Sequence, residues 1–444
     1  MEAVLQNAEP HPLIGQLDLN SARTCEQVAK RDWATFHCAT PIVKVGGVDS
    51  FSIQVASPTQ WCDPTTHALN FTVTNTGSTE LEFVSCNPAI LFRRLVVRMG
   101  GVPVEDIQDF NRLSQLFTVY QSAGKRYQQA QLGFGVRDRM TAVGSAAPLA
   151  TGPQLFTSAQ HLPEKIGPGA TRRVQMYLDV SGLFNQDKFI PLYALSSGVE
   201  VILTLAQSKA VVKLNTDEST PQPTQSSEFH VSEISLDIDM ITLDSGLQER
   251  YHEMLAKGQP LLMHLQGWDH RMTTVNTGAT GNFTASYNNP ITRLGSVYIT
   301  MVQELTQQEM ERGYQMVNTF AAYRANKENF ECQLFVGNQP IPQQPVRGYV
   351  QAYGRLLRAL GIAKSHAHDI GVDMDSYSSV HFMVGLDLEK VPGVITTGEN
   401  VSTGQDIRFT VRNFADGSVP KYCFFALHYD VFYEIRAGSV TVLK

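Results

Sequence analysis

The chain has 444 residues, 43% of them hydrophobic and only 17% charged, with a formal net charge of −7. That length allows two or three domains around a sizeable core. The mild acidity argues against a phosphate-gripping basic arm: the first 35 residues set Glu2, Glu9, Asp18, Glu26 and Asp32 against Arg23, Lys30 and Arg31.

Residues 1–36 are polar and irregular, with Pro10 and Pro12, and read as an extended arm. Strand signals follow. Phe51, Ile53 and Val55 alternate with polar residues, as do Leu69, Phe71 and Val73. Leu91 to Met99 is a further strand, closed by Gly100-Gly101. Phe110, Leu113, Phe117 and Tyr120 fall at helical spacing, and Gly124 marks the end of that helix. Residues 125–168 form a Gly/Ala/Gln/Pro-rich excursion, read as a functional or interface-forming loop. Strand character returns at Val174, Met176, Leu178 and Val180, then over Phe189 to Leu195 and Val199 to Leu205. After a polar loop with Pro221 and Pro223, Ile234, Leu236, Ile238 and Met240 alternate with Ser235, Asp237 and Asp239. This is the period of a strand with one buried face.

A boundary follows. Ser245-Gly246-Leu247-Gln248 has the form of a capping box, opening a helix with Leu247, Tyr251, Met254 and Leu255 on one face. The second block repeats the plan. Strands are predicted over Pro260 to Leu265, at Phe283 to Tyr287, Val297 to Met301, Cys332 to Val336, Phe382 to Leu388, Ile407 to Val411 and Cys423 to Ile435. A hairpin through Ala437-Gly438 leads into Val440 to Leu443. Helices are predicted at the capping pattern Thr306-Gln307-Gln308-Glu309 and over Tyr349, Tyr353, Leu356 and Leu360, the latter closed by Gly361.

Each block therefore holds about eight strands with short helices in the connections. Helices are too few for repeated βαβ units. The reading is an all-β chain of two tandem eight-stranded jelly rolls. Its divisions are an N-terminal arm over 1–36, a first jelly roll over 37–243 and a second over 244–444.

Cys25, Cys38, Cys62, Cys86, Cys332 and Cys423 lack CxxC spacing and read as reduced thiols. No apolar run reaches the ~18 residues of a membrane span, and no signal-peptide pattern opens the chain. The sequons at Asn70, Asn282 and Asn400 read as chance.

No catalytic constellation is visible and no cofactor is called for. His366-Ala367-His368 is a weak metal candidate, two imidazoles one residue apart followed by Asp373 where a Glu would be wanted. No G-x-S-x-G elbow occurs, and Gly133-Phe134-Gly135 is too short for a phosphate loop. Asp237 and Asp239 share one strand face and read as a solvated surface. Arg93-Arg94, Arg98 and Arg172-Arg173 are the main basic clusters, suited to intersubunit salt bridges at least as well as to nucleic acid. Trp33, Trp61 and Trp268 are too dispersed for a base-stacking platform.

The run Val97-Arg98-Met99-Gly100-Gly101-Val102-Pro103-Val104-Glu105-Asp106-Ile107-Gln108-Asp109-Phe110-Asn111-Arg112-Leu113 resembles a segment of double jelly-roll major capsid proteins of tailless icosahedral DNA viruses. These are the polinton-like virus, virophage and adenovirus hexon lineage. Leu178 to Phe184 leading into Phe189-Ile190-Pro191-Leu192, Gly198 to Leu205, Met240 to Ser245, His428-Tyr429-Asp430 and Ala437 to Val440 are similar too. The resemblance spans most of residues 40–444, with diffuse motifs, and the shorter chain speaks against hexon-like towers. It implies a non-enzymatic homotrimer whose six sandwiches form a pseudo-hexagonal capsomer tiling an icosahedral shell. The implied partners are other copies, neighbouring capsomers and minor or penton capsid proteins, with no sequence-specific nucleic-acid binding. The implied location is the virion, assembled in host cytoplasm or nucleus, with the loops 125–168 and 337–378 facing outward or clasping neighbouring subunits and the arm reaching beneath or across to a neighbour. A tandem jelly roll that binds or hydrolyses glycans is the alternative.

Overall fold

A computed structural model describes residues 27–136, 163–213, 225–277, 282–302, 330–363, 370–372, 374–379, 381–391, 397–402, 405–413, 421–436 and 438–443. In chain order the first half contributes strands β1 (Val28–His37), β2 (Ile42–Val43), β3 (Ser50–Val55), β4 (Trp61–Asn75), β5 (Phe92–Met99), β6 (Val102–Gln108), β7 (Thr171–Met176), β8 (Ile190–Pro191), β9 (Val199–Leu205) and β10 (Phe229–Leu243). The second contributes β11 (Leu261–Thr274), β12 (Asn276–Thr277), β13 (Phe283–Tyr287), β14 (Leu294–Val302), β15 (Glu331–Val336), β16 (Gln339–Arg347), β17 (Val384–Asp387), β18 (Ile407–Arg412), β19 (Tyr422–Arg436) and β20 (Ser439–Leu443). Helices α1 (Phe110–Tyr120), α2 (Ala123–Leu132), α3 (Ser245–Ala256) and α4 (Gly348–Ala359) sit in the connections.

The pairing order decides the architecture. The first half has sheets β1-β10-β4-β7 and β3-β9-β5-β6; the second has β11-β19-β14-β17 and β13-β18-β15-β16. Setting aside the two-residue strands and the β20 hairpin, and numbering each half's eight strands in order, both halves read 1-8-3-6 and 2-7-4-5. Every pairing is antiparallel. Two four-stranded sheets interleaved in this way are a jelly roll, and the chain contains two.

Alternation builds each core. Phe51, Ile53 and Val55 of β3 face Phe71 and Val73 of β4, and Phe92 sits edge-on between Phe51 and Phe71. In β10, Phe229 and Val231 point inward, but further along the inward set is Ile234, Leu236, Ile238 and Met240. The parity changes at Glu233, whose φ of 52° marks a bulge where the register to β4 shifts. One inserted residue turns the following side chains over, so both apolar runs reach the same core.

Several elements differ from the sequence reading. Val28–His37, placed in the irregular arm, is a strand on β10; it lies at a sheet edge and none of its side chains is fully buried. Ala123–Leu132 is a helix, masked in the sequence because its buried positions are Arg126 and Ala130 rather than large apolar residues. β7 stops at Met176, because the next inward residue, Leu178, gives its N–H to His67 Nε2 at 2.7 Å instead of to a strand. Phe189 to Leu195 shrinks to the short β8 and a 3-10 turn over Leu192–Ala194. The proline-bearing β6 and β16 were not predicted; both lie at sheet ends, where a missing N–H does no harm. The capping box at Ser245 does not form. Asp244 caps α3, accepting the Gly246 N–H at 3.0 Å, and Gln248 instead accepts the Trp61 indole N–H at 2.9 Å. The helix predicted at Thr306 lies outside the described residues. α4 ends as expected, with Gly361 at φ +72°.

Replacing Phe92, fully buried between two rings, with Ala should cost about 3–5 kcal/mol. Equilibrium urea unfolding of Phe92→Ala checks this through a lowered midpoint.

Candidate functional site

Several residues singled out by sequence prove structural. Asp237 accepts from Thr35 Oγ1 (2.7 Å) and Asn70 Nδ2 (2.6 Å); Asp239 accepts from Arg31 Nε (2.6 Å), and Arg31 also reaches Asp63 (2.8 Å). The expected solvated face is thus a half-buried polar ladder tying β1 to β10 and β4. Arg94 forms a two-pronged bond to Asp106, Arg98 pairs with Glu200 at 3.4 Å, Arg93 lies 3.8 Å from Asp109, and Arg172 bonds Glu164. These arginines pair within the chain. His366 and His368 lie outside the described residues. Among the described residues, no group of three His, Cys, Asp or Glu side chains could hold a metal. Cys62, Cys86, Cys332 and Cys423 are buried free thiols whose pKa values burial pushes up, Cys86 to about 12. Thiolate chemistry is thereby suppressed. Among the described residues, no helix is long and apolar enough to cross a membrane.

Function-bearing geometry lies where the two jelly rolls meet. α1 leaves β6 and lays its side chains on the outer face of the sheet β11-β19-β14-β17. Phe117 packs on Trp268 (4.7 Å between ring centres) and on Tyr298 (5.4 Å); Trp268 in turn stacks on His428 (4.3 Å). The Tyr298 hydroxyl donates to the Ala359 carbonyl of α4 at 2.7 Å. As a result, every residue of β14 is buried, on both faces.

Arg112 of α1 is buried. It donates to Thr300 Oγ1 at 3.0 Å, and its guanidinium lies 4.0 Å above the Phe424 ring. Burial lowers its pKa to about 9, against the opposing pull of Asp109. Its charge is held by ring face, hydroxyl and a nearby carboxylate. Backbone atoms close the rest of the seam. His270 bonds the Gln108 carbonyl (3.0 Å), Tyr433 donates to the Val104 carbonyl (3.3 Å), and the Tyr120 hydroxyl donates to the His381 carbonyl. Glu105 accepts from Ser181 Oγ (2.6 Å) and the Leu183 N–H (2.7 Å), clamping the turn between them. That turn's Gly182 lies so near Gln266 that a Cβ would sit 1.9 Å from its carbonyl oxygen. Only glycine lets the halves approach this closely.

Beside the seam opens a cleft of about 970 Å³ lined by His67, Phe117, Lys125, Tyr177, Trp268 and His428, among others. His67 donates from Nδ1 to the Pro64 carbonyl (2.7 Å) while Nε2 accepts the Leu178 N–H, a pattern open only to the neutral ring. Sequence reasoning missed Glu105, Arg112, His67 and His270. Glu105 and Arg112 both fall in the family-like run Val97 to Leu113, which was the available signal.

No protein-family model and no curated protein sequence matches the chain. Solved structures do match. PBCV-1 VP54, fitted into a reconstruction of the virophage Sputnik, superposes with a TM-score of 0.58 at 11% identity, over 94% of this chain and 97% of that one. The Sputnik virophage structure gives 0.57 at 12% identity over 98% and 92%. Faustovirus major capsid protein gives 0.55 at 9% identity over 91% and 90%. The fold is the double jelly roll. These superpositions cover nine-tenths or more of this chain and of each neighbour. The expected all-β architecture of two jelly rolls holds.

Two outcomes follow from the seam of this double jelly roll. Burial lowers His67 and His428 to about 4 and His270 to about 3, the last also facing Arg112 and Arg271. The unfolded chain therefore takes up protons first as pH drops below about 6.5. Stability present above that pH is lost progressively toward pH 4. Thermal melts at pH 7, 5.5 and 4.5 should show a falling midpoint, and His67→Gln, which offers a donor and an acceptor without titrating, should shrink the fall. Secondly, Arg112→Ala should cost roughly 2–4 kcal/mol and split the calorimetric transition in two; a single unchanged peak would contradict the role given to this side chain.

Proposed function

We propose that this chain is the major capsid protein of an icosahedral DNA virus or virus-like element, acting as a homotrimeric building block. The observation that carries the reading is the repeated sheet order joined by a sealed seam. Two like sandwiches held rigidly side by side become six near-equivalent lobes under three-fold symmetry, which suits a pseudo-hexagonal tile. The low charge content fits walls that meet other subunits. A PBCV-1 virus capsid structure and the Faustovirus major capsid protein are among the similar structures. In this reading the first jelly roll runs from β1, which begins at Val28, to 243 and the second over 244–444, with the segment before β1 and the connecting loops engaging neighbouring capsomers and minor or penton proteins in the virion. The chain works by packing and carries no reaction of its own.

Size-exclusion chromatography with light scattering should give three times the 49.1 kDa chain mass, and negative-stain images should show six-lobed particles. A stable monomer at micromolar concentration would overturn the proposal.

A further inference from the structure

The two jelly rolls differ on one pair of corresponding outer faces. In the first half, the sheet β3-β9-β5-β6 carries arginines neutralised across strands, Arg94 by Asp106 (2.7 Å) and Arg98 by Glu200 (3.4 Å). In the second half, the sheet β13-β18-β15-β16 carries Arg408 and Arg412 on its outer face. Among the described residues, neither has a carboxylate within ion-pair distance. Arg408 lies over the Phe335 ring at 4.9 Å. Glu331 stands opposite Arg412 in the register, but its carboxylate is held by Arg347 at 2.9 Å. This face is hollowed into a depression of about 510 Å³, with Pro345 and the register shift between β15 and β16 at its side.

We infer that this depression binds an acidic oligosaccharide, a short glycan bearing sulfate or carboxylate groups. Two arginines four residues apart on one strand have their Cα atoms about 13 Å from each other. That spacing suits an extended ligand with two anionic groups better than a single phosphate. Between and beside them lie Thr410, Thr284 and Gln333, side chains suited to sugar hydroxyls. The Gln333 amide nitrogen donates to the Pro342 and Gln343 carbonyls (3.0 and 3.2 Å), so its orientation is set and its oxygen is the group it can offer. Thr410 Oγ1 donates to the Gln333 carbonyl at 3.3 Å and keeps its lone pairs for an incoming hydroxyl. The Phe335 ring, under Arg408, holds the guanidinium plane for two-pronged contact with an oxyanion. Glu331 also lines the hollow but is held by Arg347, so among the described residues Arg408 and Arg412 are left without a carboxylate, and an anion is the complement they fit. The inference does not depend on capsid assembly.

Titration calorimetry on the full chain tests it, with a heparin-derived sulfated tetrasaccharide, 3′-sialyllactose as the carboxylate probe and a neutral glucan tetrasaccharide as control. Binding of at least one acidic sugar, weakened by added salt, is expected, with the neutral glucan silent. Arg408→Ala and Arg412→Ala should each weaken it about tenfold or more, and Phe335→Ala several-fold, with thermal midpoints unchanged. No binding by either acidic sugar, or binding indifferent to all three substitutions, overturns the inference. If neither sugar binds and the arginine variants instead lower the mass seen by light scattering, the hollow is a contact for the acidic surface of a second copy, and the glycan reading falls.

Discussion

An antiparallel strand with one apolar face must hide that face against another sheet, and every larger feature of this protein grows from that requirement. Within each half the 1-8-3-6 sheet closes over the 2-7-4-5 sheet, so the inward residues of eight strands form one core. The outward faces then become the variable quantity. Some are covered by the chain itself, some are wet, and the distribution differs between the halves.

The seam is where the protein departs from two beads on a string. α1 places Phe117 and Arg112 onto the neighbouring sheet, and backbone carbonyls of β6 take hydrogen bonds from His270 and Tyr433. Buried polar groups at a contact between domains cost desolvation unless satisfied, so they specify one relative placement more than they add stability. A fixed placement of two sandwiches is what a tile requires. The neutral imidazole of His270 belongs to the same design, and it links that placement to the proton concentration.

Much of the strand inventory was legible because alternation is a local signal. Ile234 to Met240 and Ile407 to Val411 lie inward as their spacing predicts. Elements escaped where the local signal was weak or misleading. β16 carries Pro340, Pro342 and Pro345, which speak against a strand until its edge position is known. α2 hides its buried face behind Arg126 and Ala130. Gln248 matched a capping pattern, but the Trp61 indole, distant in sequence, competed for its side chain and won. The polar residues of the seam stayed invisible for a related reason: a buried Arg112 and an exposed one are the same letter, and only the approach of Phe424 and Thr300 from another sheet distinguishes them.

By itself the sequence determined that the chain is made of one-faced antiparallel strands in two similar blocks, because side-chain period and turn residues are written locally. The tertiary structure alone decided the order 1-8-3-6 and 2-7-4-5, which outer faces are covered, and which charges are buried or left facing solvent. The physical reason is that strand pairing is made by backbone groups common to every residue. Partner choice therefore leaves little side-chain signature and emerges only when distant segments compete for the same hydrogen bonds and the same core.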